Sequence, residues 1–357
     1  MNTRVGILRS KLREKSLDAI LISNPDNRRY LSNFTGSAGY LFITQDETIL
    51  ATDFRYIEQS TLEAPDFLVE RIGRDLSWLL TLIQKTNSTQ IGIENDDMTV
   101  AQYQRITSTL KENPSPINLV GTSGIVEEIR SIKDSQELPL LLKAVEIADK
   151  AFEEVAPTII VGEAEKAVAW RLEMAMRQMG AEKIAFDTIV ATGPNGALPH
   201  HRAGDDLIRD GAPLVIDMGA CYQGYCSDMT RTLCIGTPDD TFRKVYDIVL
   251  GAQETASSVA QAGMTAGELD SVARDIIKEA GYGDHFGHAL GHGIGLAVHE
   301  FPGVGPNATA ILRNDMVFTI EPGIYLPGWG GVRIEDTVIM EQGRVRQLNQ
   351  AHKREHP

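Results

Sequence analysis

The stretch LVIDMGACYQGYCSDMTR, residues 214–231, carries two carboxylates in an otherwise apolar context. It starts as an apolar strand, breaks at a turn and continues as a second strand, which is the pattern of a β-hairpin. A hairpin centred on Tyr222 and Gln223 would place Asp217 opposite Asp228, with both side chains on one face. The stretch therefore predicts a pair of facing acids.

A second stretch, FTIEPGIYLPGWGGVRIED at residues 318–336, repeats this arrangement. A turn centred on Gly328 predicts that Glu321 and Glu335 face each other. Facing like charges destabilise a strand pair, and acids among apolar residues cost free energy unless a positive partner neutralises them. Four carboxylates match the charge of two divalent cations. Oxygen-rich ligands favour Mn²⁺, Co²⁺ or Fe²⁺ over a tetrahedral thiolate zinc site.

Between these two stretches lies GDHFGHALGHGIGLAVHE, residues 283–300, with four of the chain's eight histidines. His285, His288 and His292 have helical spacing and could form a three-histidine metal site. The glycines at positions 291, 293 and 295 argue against a helix there. Glycines around His292 instead predict backbone packed close to a site, with the imidazole directed to the edge of a metal.

The sequence pattern predicts two domains, residues 1–128 and 129–357. The first has an α/β pattern, with strands expected at residues 18–23, 39–44, 48–52, 90–94 and 117–120. From residue 129 to about 156 the sequence becomes charged and helix-forming, which indicates a linker that continues into a helix. In the second domain, helix caps are expected at Thr237, followed by Pro238, and at the capping box formed by Thr265 and Glu268.

Composition excludes several classes of function. With 34 basic and 49 acidic residues, the formal charge is −15 at pH 7, which disfavours nucleic acid and anionic membranes as partners. No apolar run approaches the ~20 residues of a membrane span and no secretory signal is evident, so we expect a cytoplasmic protein. Cys221, Cys226 and Cys234 are expected to be reduced strand residues.

Five motifs in order resemble those of the creatinase, aminopeptidase P and methionine aminopeptidase group, the pita-bread metallopeptidases. The motifs are Ile216-Asp-Met-Gly219, Tyr225-Cys-Ser-Asp-Met-Thr-Arg-Thr232, Gly291-His-Gly-Ile-Gly-Leu-Ala-Val-His-Glu300, Thr319-Ile-Glu-Pro-Gly323 and Arg333-Ile-Glu-Asp336. The resemblance covers nearly the whole chain. It implies an α/β creatinase-type N-terminal domain followed by an α+β pita-bread catalytic domain with pseudo-twofold symmetry.

The N-terminal segments resemble the proline-specific members of this group. Residues 33–39, Asn-Phe-Thr-Gly-Ser-Ala-Gly, and residues 52–56, Thr-Asp-Phe-Arg-Tyr, are similar to their N-terminal domain. Methionine aminopeptidases generally lack that domain, which makes them the less suitable comparison.

The resemblance implies a site with two divalent metal ions, Mn²⁺ first, with Co²⁺, Zn²⁺ or Fe²⁺ as alternatives. Asp217 would chelate one metal, and Asp228 and Glu335 would bridge the two. His292 and Glu321 would complete the ligands of the second metal. All five positions hold the residue that the motifs require.

Further residues would handle the substrate, again by resemblance. His200 would contact the substrate, and its neighbour His201 is the weaker candidate for this role. His299 would steady the tetrahedral intermediate, and His288 would be an auxiliary active-site histidine. Arg333 would support the ligands, with a solvated strand arginine as the alternative interpretation.

Together these residues predict a metal-dependent hydrolase. A water that bridges two metal ions becomes hydroxide near neutral pH and attacks the scissile carbonyl, and Glu321 could move its proton toward the leaving nitrogen. The resemblance implies an Xaa-Pro aminopeptidase, acting on peptides with proline in the second position, and a homodimer.

Three other functions are compatible with the same architecture. The first is an Xaa-Pro dipeptidase, in which the N-terminal domain of a partner subunit blocks longer substrates. The second is a non-catalytic pita-bread module that only holds a peptide. The third, creatinase, is disfavoured because creatinase-type hydrolysis dispenses with the metal ligands, whereas this chain keeps all five.

Overall fold

The structure, a computed structural model, describes residues 3–111 and 116–353. The chain forms two compact units, unit 1 from Met1 to Arg130 and unit 2 from Ser131 to Pro357. Among the described residues, no helix combines the length and the apolar character needed to cross a membrane.

Unit 1 is an α/β unit. Its strands are β1 Ala19–Ile22, β2 Tyr40–Thr44, β3 Thr48–Thr52, β4 Leu68–Arg71, β5 Gln90–Glu94 and β6 Asn118–Thr122. Its helices are α1 Thr3–Glu14, α2 Pro25–Ser32, α3 Ile57–Glu63, α4 Ser77–Thr86, α5 Val100–Leu110 and α6 Ile125–Arg130, with a 3₁₀ turn at Phe54–Tyr56. The strands form one mixed sheet in the order β4-β3-β2-β1-β5-β6.

The sequence pattern predicts most of this unit but not helices α2 and α6 or strand β4. Strands β3 and β5 have the predicted bounds. Helix α2, PDNRRYLS, was missed because charged and amide side chains interrupt its apolar pattern; the side chain of Asn24 caps it by accepting from the N–H groups of Asp26 and Asn27. Strand β4 was missed because it is a largely exposed edge strand without a continuous apolar face.

Unit 2 holds four longer helices and thirteen short strands within its described residues. The helices are α7 Glu137–Val155, α8 Glu165–Gln178, α9 Asp240–Val259 and α10 Ala266–Glu279. Strands of the first half are β7 Lys183–Ile184, β8 Ile189–Thr192, β9 Pro213–Met218, β10 Ala220–Tyr222, β11 Tyr225–Cys226 and β12 Met229–Cys234. Strands of the second half are β13 Gly291–Gly293, β14 Glu300–Val304, β15 Val317–Ile320, β16 Gly323–Leu326, β17 Gly330–Arg333, β18 Asp336–Glu341 and β19 Arg344–Gln347. The 3₁₀ turns lie at Ala156–Thr158, Gly193–Ala197 and Gly283–His285.

The two halves of unit 2 repeat one design. In the first half, helices α7 and α8 pack together and bury apolar side chains such as Leu172 against Ile216 of the sheet β12-β9-β8. In the second half, α9 and α10 pack together, and Phe242 belongs to the core beneath Phe318 of the sheet β14-β13-β15-β18-β19. A helix pair on a sheet, present twice, is the arrangement expected of pseudo-twofold symmetry.

The first predicted hairpin has a different register from the expected one. Tyr222 pairs with Tyr225, so the turn consists of Gln223 and Gly224, whose φ angles are 46° and 84°. Two consecutive positive φ values define the type I′ turn that fits a two-residue hairpin loop. The predicted pairing is therefore wrong, because Asp217 lies opposite Thr230 rather than Asp228. The shift is two residues, which leaves each side chain on the same face of the sheet.

The register predicted for the second hairpin is confirmed. Strands β16 and β17 pair Gly323 with Arg333, and strands β15 and β18 pair Ile320 with Asp336. Both ladders share the register that puts Glu321 across from Glu335. The two glutamates occupy the break between the ladders, where the chain passes from one sheet to the other.

One of the two predicted helix caps is correct. The capping box of Thr265 and Glu268 is present at the start of α10. Helix α9 does not begin after Thr237 as predicted; its N-cap is Asp239, whose carboxylate accepts from the N–H of Phe242 at 2.6 Å. Asp239 replaces Thr237 because its carboxylate caps the helix directly, and Pro238 precedes the cap instead of opening the helix.

Candidate metal centre

Four acids and one histidine converge where strands of the two halves end. Asp217 lies near the end of β9, and His292 is the central residue of β13. The other three acids occupy breaks between strands, namely Asp228 before β12, Glu321 after β15 and Glu335 before β18. At such breaks a side chain can turn away from the pleated ladder, so the breaks allow acids from both hairpins to meet.

The distances within this group are those of a metal site. Asp228, His292 and Glu335 each offer one ligand atom, and these three atoms lie within 4.8 Å of one another. The Nε2 atom of His292 is 3.6 Å from Oδ2 of Asp228 and 3.3 Å from Oε1 of Glu321. Asp217 is near enough for its charge to act on the other acids.

Burial and mutual repulsion disfavour the charged forms of these acids. Burial raises the pKa of Asp228 well above its usual range, and the charges of Glu335, Asp217 and Glu321 raise it further. Burial, followed by the charges of Glu321 and Asp217, likewise raises the pKa of Glu335. For Glu321, burial raises the pKa to about 8, although Arg333 opposes this effect. A positive charge among these groups would lower their pKa values and favour the charged carboxylates.

Several buried carboxylate oxygens of this group lack a partner. These atoms are Oδ1 of Asp217, Oδ1 of Asp228 and Oε1 of Glu335. Buried carboxylate oxygens are normally hydrogen-bonded, because an unpaired buried charge costs several kcal/mol. Three unpartnered oxygens from three different segments fit the ligand set of a hard divalent cation. The residues present therefore suit the metal ions that the motifs imply.

The imidazole of His292 has the protonation state that a ligand needs. Its Nδ1 lies 3.1 Å from the carbonyl oxygen of Gly293, which can only accept, so Nδ1 carries the proton. Burial, followed by the charge of His299, lowers the pKa of His292 to about 4, so the ring is neutral at pH 7. Its Nε2 lone pair consequently faces the carboxylates, as in metal-binding histidines held by a backbone carbonyl.

The glycines around His292 are required by close backbone contacts, as predicted. A Cβ atom on Gly291 would lie 2.0 Å from the carbonyl oxygen of Thr319, and one on Gly293 would lie 2.3 Å from that of Phe301. The helical three-histidine alternative is excluded, because His285 lies in a 3₁₀ turn and His292 in strand β13.

Arg333 holds two of the acids in place, Asp217 directly and Glu335 through Thr230. Its Nη2 donates to Oδ2 of Asp217 at 2.6 Å, its Nε to Oγ1 of Thr230 at 3.0 Å and its Nη1 to the hydroxyl of Tyr325 at 2.9 Å. Thr230 in turn donates to Oε2 of Glu335 at 2.6 Å. Arg333 is 3% exposed, so the interpretation as a solvated strand arginine is wrong.

His288 joins this network through Tyr325. Its Nδ1 lies 2.8 Å from the carbonyl oxygen of Ala289, and its Nε2 lies 2.8 Å from the Tyr325 hydroxyl. Burial lowers the pKa of His288 to about 4, so the neutral ring accepts from Tyr325 at neutral pH. The structure thus places His288 two hydrogen bonds from Arg333.

His299 and His200 lie at the exposed side of the group. The ring of His299 is 4.2 Å from the ring of His292, centroid to centroid. Burial, followed by the charge of His200, lowers the pKa of His299. The charge of His200 also contributes to the low pKa of His288, so His200 acts electrostatically on both rings. His201 is directed elsewhere, with its Nε2 2.8 Å from Oε2 of Glu165.

A second buried arginine, Arg231, braces the segment that carries Glu335. It is 1% exposed and donates to the carbonyl oxygen of Glu335 at 2.6 Å and to Oδ1 of Asp336 at 2.8 Å. It also donates to the carbonyl oxygen of Ala351. One side chain therefore fixes the carbonyl group of this glutamate and the side chain of the residue that follows it.

Sequence reasoning missed three supporting groups. Thr230 and Tyr325 stand in the quoted hairpins, and their positions two residues from Asp228 and four from Glu321 were the available signals. The third is the buried ion pair between Lys133 and Glu300, 3.5 Å apart, which holds the residue after His299. No sequence spacing indicates that pair, since 167 positions separate its members.

Cysteine does not contribute to this metal group. Cys221, Cys226 and Cys234 are buried and form no disulfide, as predicted, and they lie in strands β10, β11 and β12. Within the described part of the chain, the one group with metal-ligand spacing contains Asp228, His292 and Glu335 and no thiol. The donor set is therefore oxygen and nitrogen.

A buried group of four acids and a neutral imidazole defines a hydrolase-type metal centre, and comparison with known proteins agrees. The model of metallopeptidase family M24 matches residues 139–342, and the model of the creatinase/prolidase N-terminal domain matches residues 4–132. The chain belongs to metallopeptidase family M24. The expected class, a hydrolytic metallo-exopeptidase, and the expected fold are confirmed.

Three relatives illustrate the range of named activities. The Xaa-Pro dipeptidase of Pyrococcus furiosus is 39% identical, with 99% of each chain covered. A solved Xaa-Pro dipeptidase from Bacillus anthracis is 39% identical at a TM-score of 0.95, covering 99% of this chain and 98% of that one. A solved X-Pro aminopeptidase from Thermotoga maritima is 39% identical at a TM-score of 0.88, with 98% of each chain covered.

Proposed function

We propose that the chain is a metal-dependent Xaa-Pro dipeptidase, which hydrolyses dipeptides with proline in the second position. This choice replaces the aminopeptidase that the motifs led us to expect first. It is favoured by the Pyrococcus furiosus and Bacillus anthracis relatives, both named Xaa-Pro dipeptidase. The observation that carries the hydrolytic chemistry is the buried acid group around His292 with its three unpartnered oxygens.

We propose two divalent ions for this site, with Mn²⁺ as the first candidate. Four carboxylates and a neutral imidazole carry four negative charges, which two dications balance. Asp217 would hold one ion, His292 and Glu321 the other, and Asp228 with Glu335 would be shared. When bound, such ions polarise a carbonyl oxygen and lower the pKa of water. Metal analysis by mass spectrometry after reconstitution with each candidate cation tests both the number and the identity.

Glu321 is the proposed proton carrier. Its Oε1 lies 3.3 Å from Nε2 of His292, within the acid group, where a carboxylate can take up and release a proton during hydrolysis. The nitrogen of an Xaa-Pro bond is a tertiary amide and must gain a proton before it leaves. Glu321 would deliver that proton from a carboxyl oxygen. Thr319 donates to Oε1 of Glu321 at 3.2 Å and holds the side chain in place.

The histidines on the exposed side would contact the substrate. His299 has a lowered pKa, because of burial and then of His200, so it is neutral at pH 7 and can donate one hydrogen bond. Such a donor stabilises the negative charge that develops on the carbonyl oxygen. His200 would contact the bound dipeptide. His288 and Arg333, joined through Tyr325, would keep the floor of the site in position.

Competition between two peptides tests this proposal. The metal-stripped protein is reconstituted with Mn²⁺ and given equimolar Ala-Pro and Ala-Pro-Ala-Ala, with Ala-Ala as the control peptide, and products are followed by mass spectrometry. Cleavage of Ala-Pro alone is the expected result. Rapid release of alanine from the tetrapeptide would instead establish the aminopeptidase, which the Thermotoga maritima relative keeps as the second candidate.

Failure to cleave any of the three peptides would favour the non-catalytic module. The variant Asp228→Asn serves as the matched inactive control, since it removes one charge at nearly constant volume. The cytoplasmic location and the homodimer stay predictions. Light scattering of the purified protein checks the oligomeric state.

A further inference from the structure

Glu165, the first residue of helix α8, is a buried carboxylate outside the acid group. It is 0% exposed. Its two oxygens meet four groups of the segment from residue 192 to residue 204, here called the His200 loop. These groups are the N–H of Thr192 at 2.8 Å, Nδ2 of Asn195 at 2.9 Å, Nε2 of His201 at 2.8 Å and the N–H of Gly204 at 3.2 Å. One side chain therefore holds both ends of the loop and two positions between them.

The His200 loop lies against the strands of the metal centre. Its 3₁₀ turn, Gly193–Ala197, packs on strands β9, β16 and β17. The backbones touch at Gly196 and Gly331, because a Cβ atom on Gly331 would lie 2.1 Å from the carbonyl oxygen of Gly196. Strand β17 ends in Arg333, the partner of Asp217. The loop thus packs directly on the strand that carries Arg333.

The loop carries two adjacent histidines that face different surroundings. His201 is partly buried and donates from Nε2 to Glu165, since an ionised carboxylate can only accept. His200 is exposed, and its charge lowers the pKa of both His288 and His299. The bond to Glu165 therefore fixes His201, while the adjacent His200 stays exposed.

We infer that Glu165 is a positioning residue for the proposed peptidase reaction, acting through the His200 loop to present His200 to the substrate. The inference rests on the proposed function for the role of His200. A glutamine at position 165 would retain the volume of the side chain. Its amide NH₂ would, however, face groups that are themselves hydrogen-bond donors. The loop would then shift, and His200 with it.

A double-mutant cycle tests this inference through kcat and KM. We expect His200→Ala to lower kcat/KM by about 100-fold and Glu165→Gln to lower it by about tenfold. Because Glu165 acts through His200, the double variant should be no worse than His200→Ala alone. Metal content should equal that of the wild type in all variants. Multiplying effects in the double variant would overturn the inference.

A milder variant and a matched control guard against simple loss of folding. His201→Leu removes one of the four contacts and should lower kcat/KM by about threefold, an effect that also vanishes in the His200→Ala background. Asp149→Asn alters another buried carboxylate of unit 2, bonded to Asn349 and Gln350. This control should lower the melting temperature and combine multiplicatively with His200→Ala.

A second measurement does not depend on activity. In histidine proton NMR spectra of the metal-free protein, the His200 resonance is identified by its loss in His200→Ala. Glu165→Gln should move it, and Asp149→Asn should not. An unmoved His200 resonance in Glu165→Gln would overturn the inference even if the protein cleaved no peptide. A moved resonance in a protein without peptidase activity would support the positioning role while the proposed function failed.

Discussion

Two buried carboxylates, Glu94 in unit 1 and Glu335 in unit 2, are treated in opposite ways. Glu94 is 7% exposed and accepts from the N–H groups of Ser23 and Asn24, the hydroxyl of Ser23 and the amide of Asn27. Glu335 is 1% exposed, accepts one bond from Thr230 and leaves Oε1 without a partner. The difference teaches that the protein supplies hydrogen-bond donors to a structural acid, whereas it leaves an oxygen of a ligand acid unpaired and available to a cation.

The largest expected effect comes from Glu335→Gln. Losing one shared ligand should reduce bound metal and lower kcat/KM by a factor on the order of 10³. The metal-free variant should melt at a temperature no lower than the metal-free wild type, because a neutral amide replaces a buried acid whose charged form is disfavoured. Mass-spectrometric metal analysis, steady-state kinetics and calorimetry measure these quantities. Wild-type turnover with full metal content would show that Glu335 is not a ligand.

Removal of the metal ranks second. A cation that binds only the folded chain should stabilise it by about 4 kcal/mol when its free concentration is a thousandfold above Kd. We expect a chelator to lower the melting temperature by several degrees and added Mn²⁺ to restore it. A melting temperature that changes with neither the chelator nor Mn²⁺ would show that the acid group is structural, like Glu94.

The pH dependence of that metal effect ranks third. The pKa of Glu321 is raised to about 8 in the folded, metal-free chain, mainly by burial, whereas an unfolded glutamate has a pKa near 4.5. The stability that this proton contributes is complete below about pH 4.5 and is lost as the pH rises through about 8. The gap in melting temperature between metal-loaded and metal-free protein should therefore widen from pH 5 to pH 9. A constant gap would contradict the assignment.

The smallest effect is expected from Glu94→Gln. Its donors would lose one acceptor oxygen, which should lower the free energy of unfolding by about 1–3 kcal/mol. Turnover per folded molecule and metal content should stay at wild-type values. Urea unfolding and kinetics check this, and a loss of bound metal would break the comparison between the two acids.

The local pattern of the chain predicts much of the fold, and its success depends on the turns. Gly328, with φ of 82°, centres the second hairpin, and the predicted register of Glu321 and Glu335 is correct. In the first hairpin the prediction used Tyr222 and Gln223, whereas the positive φ angles fall on Gln223 and Gly224. Such a choice between neighbouring turns depends on backbone conformation that apolar spacing does not encode.

The candidate site shows where sequence patterns stop being informative. The acids and His292 stand out because buried charge in apolar strands is unusual. The orientation of His201 could not be predicted, since its partner Glu165 is 36 positions away and reaches it only through the packing of α8 on the loop. The ion pair of Lys133 and Glu300 escapes prediction for the same reason.

The bracing by Arg231 also bears on the order of events in folding. Its bonds to the carbonyl oxygens of Glu335 and Ala351 span 104 and 120 positions of sequence. Contacts between such distant segments close late, because loop-closure entropy has to be overcome first. We therefore expect the cation pocket to be completed after the transition state, so that bound metal slows unfolding and leaves the refolding rate nearly unchanged. The bound metal would thus stabilise the native state mainly by slowing its unfolding.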